Sequence, residues 1–576
     1  MSNKCLILTD FTADNFLNIL RNIDSEDRYA FEVAPSNQPL ALFLDQNNIV
    51  WQEHWDVAIV WTRPDALFTQ FQRLMQYEAI DEHLLLQEVD RFIECLQKIA
   101  KKIPTVLIAN WTFDPQERGW GLLDWHPSMG FSYFLSLINH RLAEGLGSSS
   151  NAYIQESRRW IACAGKNAYD PRLWYMGKVP FSPEVFREAA MDCLAALGGI
   201  AGRAKKLLLV DLDDTLWGGI VGDEGWPNLR LGGHDPIGEA FADFQRSLKN
   251  LRNRGILLGI VSKNEEQTAL DAIANHPEMI LRKDDFIIWR INWQDKATNI
   301  IEVAKELNLG LQSIVFLDDN PVERARVRDA LPEVLVPEMP ANKMFFKKTL
   351  LGLDCFDAPQ LSEEDGRRHE MYVVERERQE IMSMAQSFDD WLAQLKLEVI
   401  VEEINVSNLP RTVQLLNKTN QMNLRTRRLT ESEFQEWRNL PFHYGWTFRV
   451  SDCYGDSGLT GIATIEKNGD EATISDFILS CRVMGRKVEE SMIYALVEFS
   501  RSLGIKKLWA HYLPTEKNKP CLALWQASGF ERIGNENEHC FFWDTNKSYP
   551  RINLIKLSDC LKVEDGKTEI FLGGIP

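Results

Sequence analysis

The stretch LLLVDLDDT, residues 207–215, decides the reading of the chain. Four apolar residues run straight into Asp211, and Asp213 follows two positions later. A short, continuous apolar run that ends in polar residues suits a strand buried on both faces of a parallel sheet. Open α/β sheets hold their ligands at the carboxyl ends of such strands. Three further elements follow in order: GIVSKN (259–264) with Ser262, INWQDKATN (291–299) with Lys296, and VFLDDN (315–320) with Asp318 and Asp319. The first and last of these three are apolar strands ending in polar side chains, and Lys296 stands where a helix begins.

Phosphotransfer chemistry explains these residue types. Asp211 can attack phosphorus in line and carry the phosphoryl group as an aspartyl phosphate. Asp213 can protonate the leaving oxygen and then activate water. Mg²⁺ prefers hard oxygen ligands and retains some waters. Asp211, a backbone carbonyl at Asp213, and Asp318 or Asp319 would supply those ligands. Ser262 can hydrogen-bond a phosphoryl oxygen, Thr215 stands at the same strand end, and Lys296 offsets charge on nucleophile and phosphate. A single Asp-x-Asp would ordinarily be a surface loop or a helix cap. Four ordered elements on matching secondary structure are far more specific.

Outward from this core, residues 204–345 keep the same grammar. GILLGIVSKN (255–264) is a strand and NEEQTALDAIAN (264–275) a helix; DKATNIIEVAKELNLG (295–310) is a helix with a Gly stop, and NPVERARVRDALP (320–332) a helix opened by Asn-Pro. Residues 1–200 also alternate strands and helices, with strands expected at 5–11, 31–34, 57–62 and 106–112 and one long helix at 71–102. Residues 358–400 read as a charged helical connector whose charges form a solvated face. Residues 401–545 turn α+β: strands FRVSDC, GLTGIATIEK and EATISDFILS, then a helix from 488 to 504, strand KKLWAHYL, helix KPCLALWQASG and strand CFFWD. The tail, 546–576, carries no readable role.

Composition narrows the partners. A net charge of −19 repels phosphate backbones, which excludes nucleic acid as a partner. The first residues show no signal peptide, and no apolar run approaches the ~20 residues of a membrane span. Ten scattered cysteines without a CxxC pair argue against disulfides or zinc and for a reducing, cytoplasmic setting.

The four elements together resemble the haloacid dehalogenase (HAD) superfamily. The string DLDDTLWGGIVGDEG (211–225) is similar to the FkbH family, as are residues 239–267, HPEMILRKDDF (276–286) and FLDDNPVERARVR (316–328). The resemblance implies an enzyme with a HAD-like Rossmannoid domain and Mg²⁺. It implies removal of phosphate from a 1,3-bisphosphoglycerate-like donor and loading of the glyceryl unit onto the phosphopantetheine thiol of an acyl carrier protein, as in polyketide biosynthesis. It also implies no large cap, with WGGIVGDEG (217–225) as a local lid.

The flanks carry resemblances of their own. RVMGRK (482–487) is similar to the pyrophosphate loop of the GNAT acyltransferase fold, with Lys487 in place of the usual small residue, and Asn518 falls at that fold's Asn position. Arg482, Gly485 and Arg486 would then bind phosphate. Cys481 would be an acyl-carrying thiol favoured by the helix N-terminus and the arginines, with Cys453 as its rival and His511 as the base. Residues 1–200 resemble an SGNH-hydrolase-like domain, but Asp10 stands where its nucleophilic serine is needed. Partner docking or support is therefore expected there rather than hydrolysis. Two other readings stay open: a small-molecule HAD phosphatase fused to a coenzyme A-dependent acyltransferase, and a non-catalytic carrier-protein scaffold.

Overall fold

The structure is a computed structural model. It describes residues 2–34, 39–45, 48–114, 118–147, 149–233, 235–359, 387–480, 482–515, 517–533 and 539–559. The chain divides into two compact units, Met1–Ile200 and Ala201–Pro576.

The first unit is built on five parallel strands: β1 (Asn3–Thr9), β2 (Tyr29–Val33), β3 (Val57–Trp61), β4 (Thr105–Ala109) and β5 (Ala152–Gln155), in the order β2-β1-β3-β4-β5. β3 is buried throughout, as its unbroken VAIVW run requires. The segment 71–102, expected as one helix, is two. Thr69–Met75 ends before Tyr77, which adopts φ +61°, and Glu82–Ala100 restarts at Asp81, whose carboxylate accepts from the N–H groups of His83 and Leu84. Strand order reverses between β1 and β3, and Asp10 stands at that reversal. Its carboxylate accepts from the Arg63 N–H (2.7 Å) and Nε (3.3 Å), while burial pushes its pKa up to about 6. The Arg63 guanidinium rests 4.2 Å from the Trp174 ring centroid. Asp10 is thus committed to a structural ion pair.

In the second unit, β6 (Leu207–Val210), β7 (Leu257–Ser262), β8 (Ile288–Ile291) and β9 (Ile314–Leu317) form a parallel sheet in the order β8-β7-β6-β9. The crossovers are helical, among them Pro236–Asn253, Glu266–Asn275 and Lys296–Glu306. β6 lies between β7 and β9, so its carboxyl end is the point where the winding reverses. Past β6 the chain makes a tight turn, with N–H groups of Thr215 and Leu216 bonded to the Leu212 carbonyl and Asp214 at φ +53°. Paired hydrogen bonds between Gly218 and Arg230 then close a small flap that contains the helix Val221–Glu224.

A separate mixed sheet follows. Its strands are β10 (Glu398–Glu403), β11 (Met422–Asn423), β12 (His443–Asp452), β13 (Gly455–Asn468), β14 (Glu471–Leu479), β15 (Lys507–His511), β16 (Glu531–Ile533), β17 (Cys540–Asp544) and β18 (Lys556–Asp559). The order is β16-β17-β15-β14-β13-β12-β10-β18, with β11 also on β14. Residues 360–386 of the expected connector lie outside the described residues. In its last part, the helix Phe388–Leu395, Asp389 and Asp390 are exposed, while Trp391, Leu392 and Leu395 are buried in this sheet's core. The tail also enters the fold, because β18 pairs in parallel with β10.

Close packing in the four-stranded sheet leaves no room at Gly259. A Cβ there would lie 2.7 Å from Leu209 Cδ2 and 3.1 Å from the Ile288 carbonyl oxygen. Gly259→Val should therefore destabilise the protein by about 1–3 kcal/mol, read as a lower urea midpoint at unchanged slope; an unchanged midpoint would contradict this packing.

Candidate active site at the ends of the parallel strands

Asp211 follows β6, and its N–H donates to the Leu317 carbonyl (2.9 Å), which joins the ends of β6 and β9. Asp318 follows β9 and is fully buried. Lys296, the first residue of its helix and 3% exposed, reaches both: its Nζ lies 2.6 Å from Asp318 Oδ2 and 3.1 Å from Asp211 Oδ2. Burial pulls the lysine pKa down, but the two carboxylates outweigh it and hold it above the ordinary value. Asp318 is pushed up to about 6, by burial first and then by the neighbouring Asp211. Two buried carboxylates share one ammonium.

Asp319 completes the cluster. Its N–H donates to Thr215 Oγ1 (3.1 Å), and its Oδ2 accepts from Lys343 Nζ (2.7 Å). Lys343 also donates to the Asp214 carbonyl (2.8 Å), so one side chain ties the β6 turn to the β9 turn. Carboxylate oxygens of Asp211, Asp318 and Asp319 all lie within 4.8 Å of one another. Hard oxygen donors at this spacing, carrying more negative charge than two lysines neutralise, fit a divalent cation such as Mg²⁺.

Asp213 sits in the turn, half-buried. Its Oδ1 accepts from Trp217 Nε1 (2.9 Å) and the Val221 N–H (3.1 Å), and its Oδ2 from Asn264 Nδ2 (2.7 Å). Burial nonetheless raises its pKa, which suits a group that must hold a proton. Ser262 is buried at the end of β7. Thr215 is fully buried and holds Asp319 rather than facing open space.

Asn264, Trp217 and Lys343 were not anticipated. Asn264 lies two positions past Ser262, in the same strand-end string, and was readable there. Lys343 lies far along the sequence in ANKMFF, and nothing local marks it.

In the C-terminal sheet the expected residues fare differently. Cys481 lies outside the described residues. The Gly485 N–H donates to Glu489 Oε1 (2.6 Å), so this loop donor is engaged within the chain. Burial pushes the Glu489 carboxyl up to about 7, and Glu490 follows it in the first helical turn. Arg486 is buried, donates to the Arg482 carbonyl (2.7 Å) and lies 3.7 Å from Asp452. Of these two expected phosphate binders, Arg486 is buried and Gly485 is exposed, with its N–H turned to Glu489. Asn518 is fully buried: its Oδ1 accepts from Tyr512 Oη and the Thr515 N–H, and its Nδ2 donates to the carbonyls of Asn423 and Leu513. That amide knits the fold and has no capacity left for substrate. His511 is exposed, and its pKa is lowered by partial burial and by the charge of Arg425. Cys453 is exposed and donates to the Gln394 carbonyl.

The N-terminal part of the protein BF1531 from Bacteroides fragilis, described as containing a phosphatase domain complexed with Mg, is similar to this chain. The two share 28% identity over 62% of this chain and 95% of that one, with a TM-score of 0.57. Two shorter likenesses are a domain from Methanocaldococcus jannaschii DSM 2661 (18% identity, 26% of this chain, 99% of that chain, TM-score 0.22) and the ribosomal-protein-S18-alanine N-acetyltransferase from Escherichia coli (12%, 27%, 97%, 0.21). No protein-family model and no curated protein matches the chain. Among the described residues no helix is long and apolar enough to cross a membrane.

The carboxylate cluster makes a prediction that needs no assay of turnover. Mg²⁺ should raise the thermal midpoint saturably, Asp318→Asn should abolish the rise, and Lys343→Met should weaken it by roughly 10–100-fold in apparent affinity. A magnesium response that survives in Asp318→Asn would place the ion elsewhere.

Proposed function

We propose that residues 204–345 form a magnesium-dependent phosphotransfer domain of the HAD type, which serves acyl transfer by residues 401–545. The observation that carries this reading is the convergence of Asp211, Asp318 and Asp319 at the ends of parallel strands, with Lys296 bridging Asp211 and Asp318. The likeness to a magnesium-bound phosphatase domain supports it.

In this mechanism Asp211 attacks phosphorus, forming an aspartyl phosphate as the bond to the leaving oxygen breaks. Asp213 donates its proton to that oxygen, then takes one from the water that hydrolyses the aspartyl phosphate. Lys296 holds one Asp211 oxygen and offsets charge near the phosphoryl group. Asn264 and Trp217 orient the Asp213 carboxyl. Held by Asp211, Asp318 and Asp319, Mg²⁺ would supply the remaining charge neutralisation.

The finer reading is that the donor is a 1,3-bisphosphoglycerate-like acyl phosphate. The glyceryl unit passes through a Cys481 thioester to the phosphopantetheine thiol of an acyl carrier protein, with His511 as base. A His511 pKa below the ordinary value keeps the imidazole neutral and able to accept a thiol proton. Engagement of the Gly485 N–H by Glu489 disfavours the coenzyme A alternative, whose pyrophosphate needs such donors.

In Asp211→Asn, phosphate release with Mg²⁺ should fall to background, and in Asp213→Asn it should fall by roughly 10²–10⁴-fold; full turnover in Asp211→Asn would refute the assignment. Carrier protein incubated with enzyme and 1,3-bisphosphoglycerate should gain a glyceryl mass. With Asp211→Asn it should gain a phosphoglyceryl mass or none, and with Cys481→Ala none. Phosphate release without any carrier adduct would leave only the phosphatase reading. Asn264→Ala removes a donor that favours ionised Asp213, so the alkaline limb of kcat/KM for phosphate release should move to higher pH. A limb that stays in place would assign the acid to another group.

A further inference from the structure

β14 and β15 pair in parallel only over Glu471–Ile474 and Lys507–Ala510. Farther along, at Ile478 and Leu479, the neighbour of β14 is β11. The Leu424 N–H donates to the Phe477 carbonyl (3.1 Å), and the Leu424 carbonyl accepts from the Leu513 N–H (3.0 Å). The chain thus bridges the two strands where they part. Met422, Asn423 and Leu424 are buried, so the next two residues, Arg425 and Thr426, are held firmly in place.

Thr426 adopts φ +53°. A β-branched residue in the left-handed region is strained, and such strain clusters at ligand sites. The Asn423 side chain helps to hold it, accepting from the Thr426 N–H (2.8 Å). The Thr426 hydroxyl is buried without a hydrogen-bond partner, and so is Arg425 Nε. Nearby Arg427 contrasts with this, since its guanidinium is closed by Asp476. Two adjacent buried donors without acceptors, on strained backbone, are suited to a ligand's oxygens. His511 lies at the end of β15, two positions before Leu513, whose N–H is bonded to the Leu424 carbonyl next to Arg425.

We propose that Arg425 and Thr426 form an anion site at the parted ends of β14 and β15, which takes the phosphate of a small phosphorylated hydroxy acid and presents the rest of the molecule toward His511. The anion site rests on the two unpartnered donors; only the choice of a phosphorylated hydroxy acid rests on the function proposed above. A guanidinium with a neighbouring hydroxyl suits phosphate oxygens.

The test reads Arg425 itself. Full-length protein is treated with phenylglyoxal, and modification at Arg425 is followed by peptide mass spectrometry. 3-Phosphoglycerate should slow modification at least fivefold, inorganic phosphate should do so at higher concentration, and glycerate should not. Modification unaffected by any of these anions, or absent throughout, overturns the site; equal protection by glycerate overturns phosphate as its ligand. The same protection should persist in Asp211→Asn without magnesium, where the phosphotransfer cluster is disabled. Its disappearance there would mean that Asp211 governs the effect, and would overturn the proposal. Loss of the phosphotransfer reading alone would leave the protection intact. Thr426→Gly relieves the strained φ and removes the hydroxyl. It should raise the thermal midpoint while weakening protection about tenfold, whereas unchanged protection would reduce Thr426 to a structural role.

Discussion

The buried ammonium of Lys296 between Asp211 and Asp318 is the constraint on which the rest of the carboxylate cluster depends. Charges this deep are tolerated only when paired, and removing one partner of such a pair typically costs about 3–5 kcal/mol. The pairing therefore fixes the ends of β6 and β9 and the start of the Lys296 helix with respect to one another. The backbone contributes through the Asp211 N–H bonded to the Leu317 carbonyl. Lys343 extends the arrangement by tying Asp319 to the turn that carries Asp213. A single lysine leaves the two carboxylates short of positive charge, and burial, followed by the neighbouring Asp211, raises the pKa of Asp318. The same shortage is what makes the cluster competent for a divalent cation.

This part of the molecule was legible because its strands are buried on both faces. Such strands are continuous apolar runs, and LLLV and IVFL ending in acids can be read without knowing what packs on them. Strand ends also concentrate function, so Asp211, Ser262 and Asp318 fell where the runs stopped. Trp217 was harder to read because it acts through side-chain direction within a turn, which carries no periodicity. Lys343 was not readable at all, since its partners lie 24 and 129 positions away. Elsewhere, the break at Tyr77–Asp81 hides inside a helical pattern, because a positive φ and an Asp cap look like ordinary polar residues. Trp391, Leu392 and Leu395 close a charged stretch, yet their apolar face is buried in the sheet's core.

The C-terminal sheet shows how a string can match a loop while its donors do other work. In RVMGRK the glycine takes the positive φ that such a turn requires. Its N–H nevertheless turns to Glu489, and Arg486 turns inward toward Asp452. Sequence similarity of a short loop reports backbone shape, whereas anion binding depends on which donors remain unpaired. By that criterion Arg425 Nε and the Thr426 hydroxyl are donors to follow, in a stretch that carries no motif.

Under the proposed function, chemistry gives a reason for two sites in one chain. An acyl phosphate offers two electrophiles, the carbonyl carbon and the phosphorus bonded through the same bridging oxygen. If Asp211 attacked that phosphorus, the acyl group would leave as a free acid and its activation would be lost. A thiol attacking the carbonyl carbon instead expels phosphate and retains the activation in a thioester, which exchanges with a second thiol at little energetic cost. Asp211 is then useful only at a phosphate ester distant from the carbonyl, where hydrolysis destroys nothing that the transfer needs.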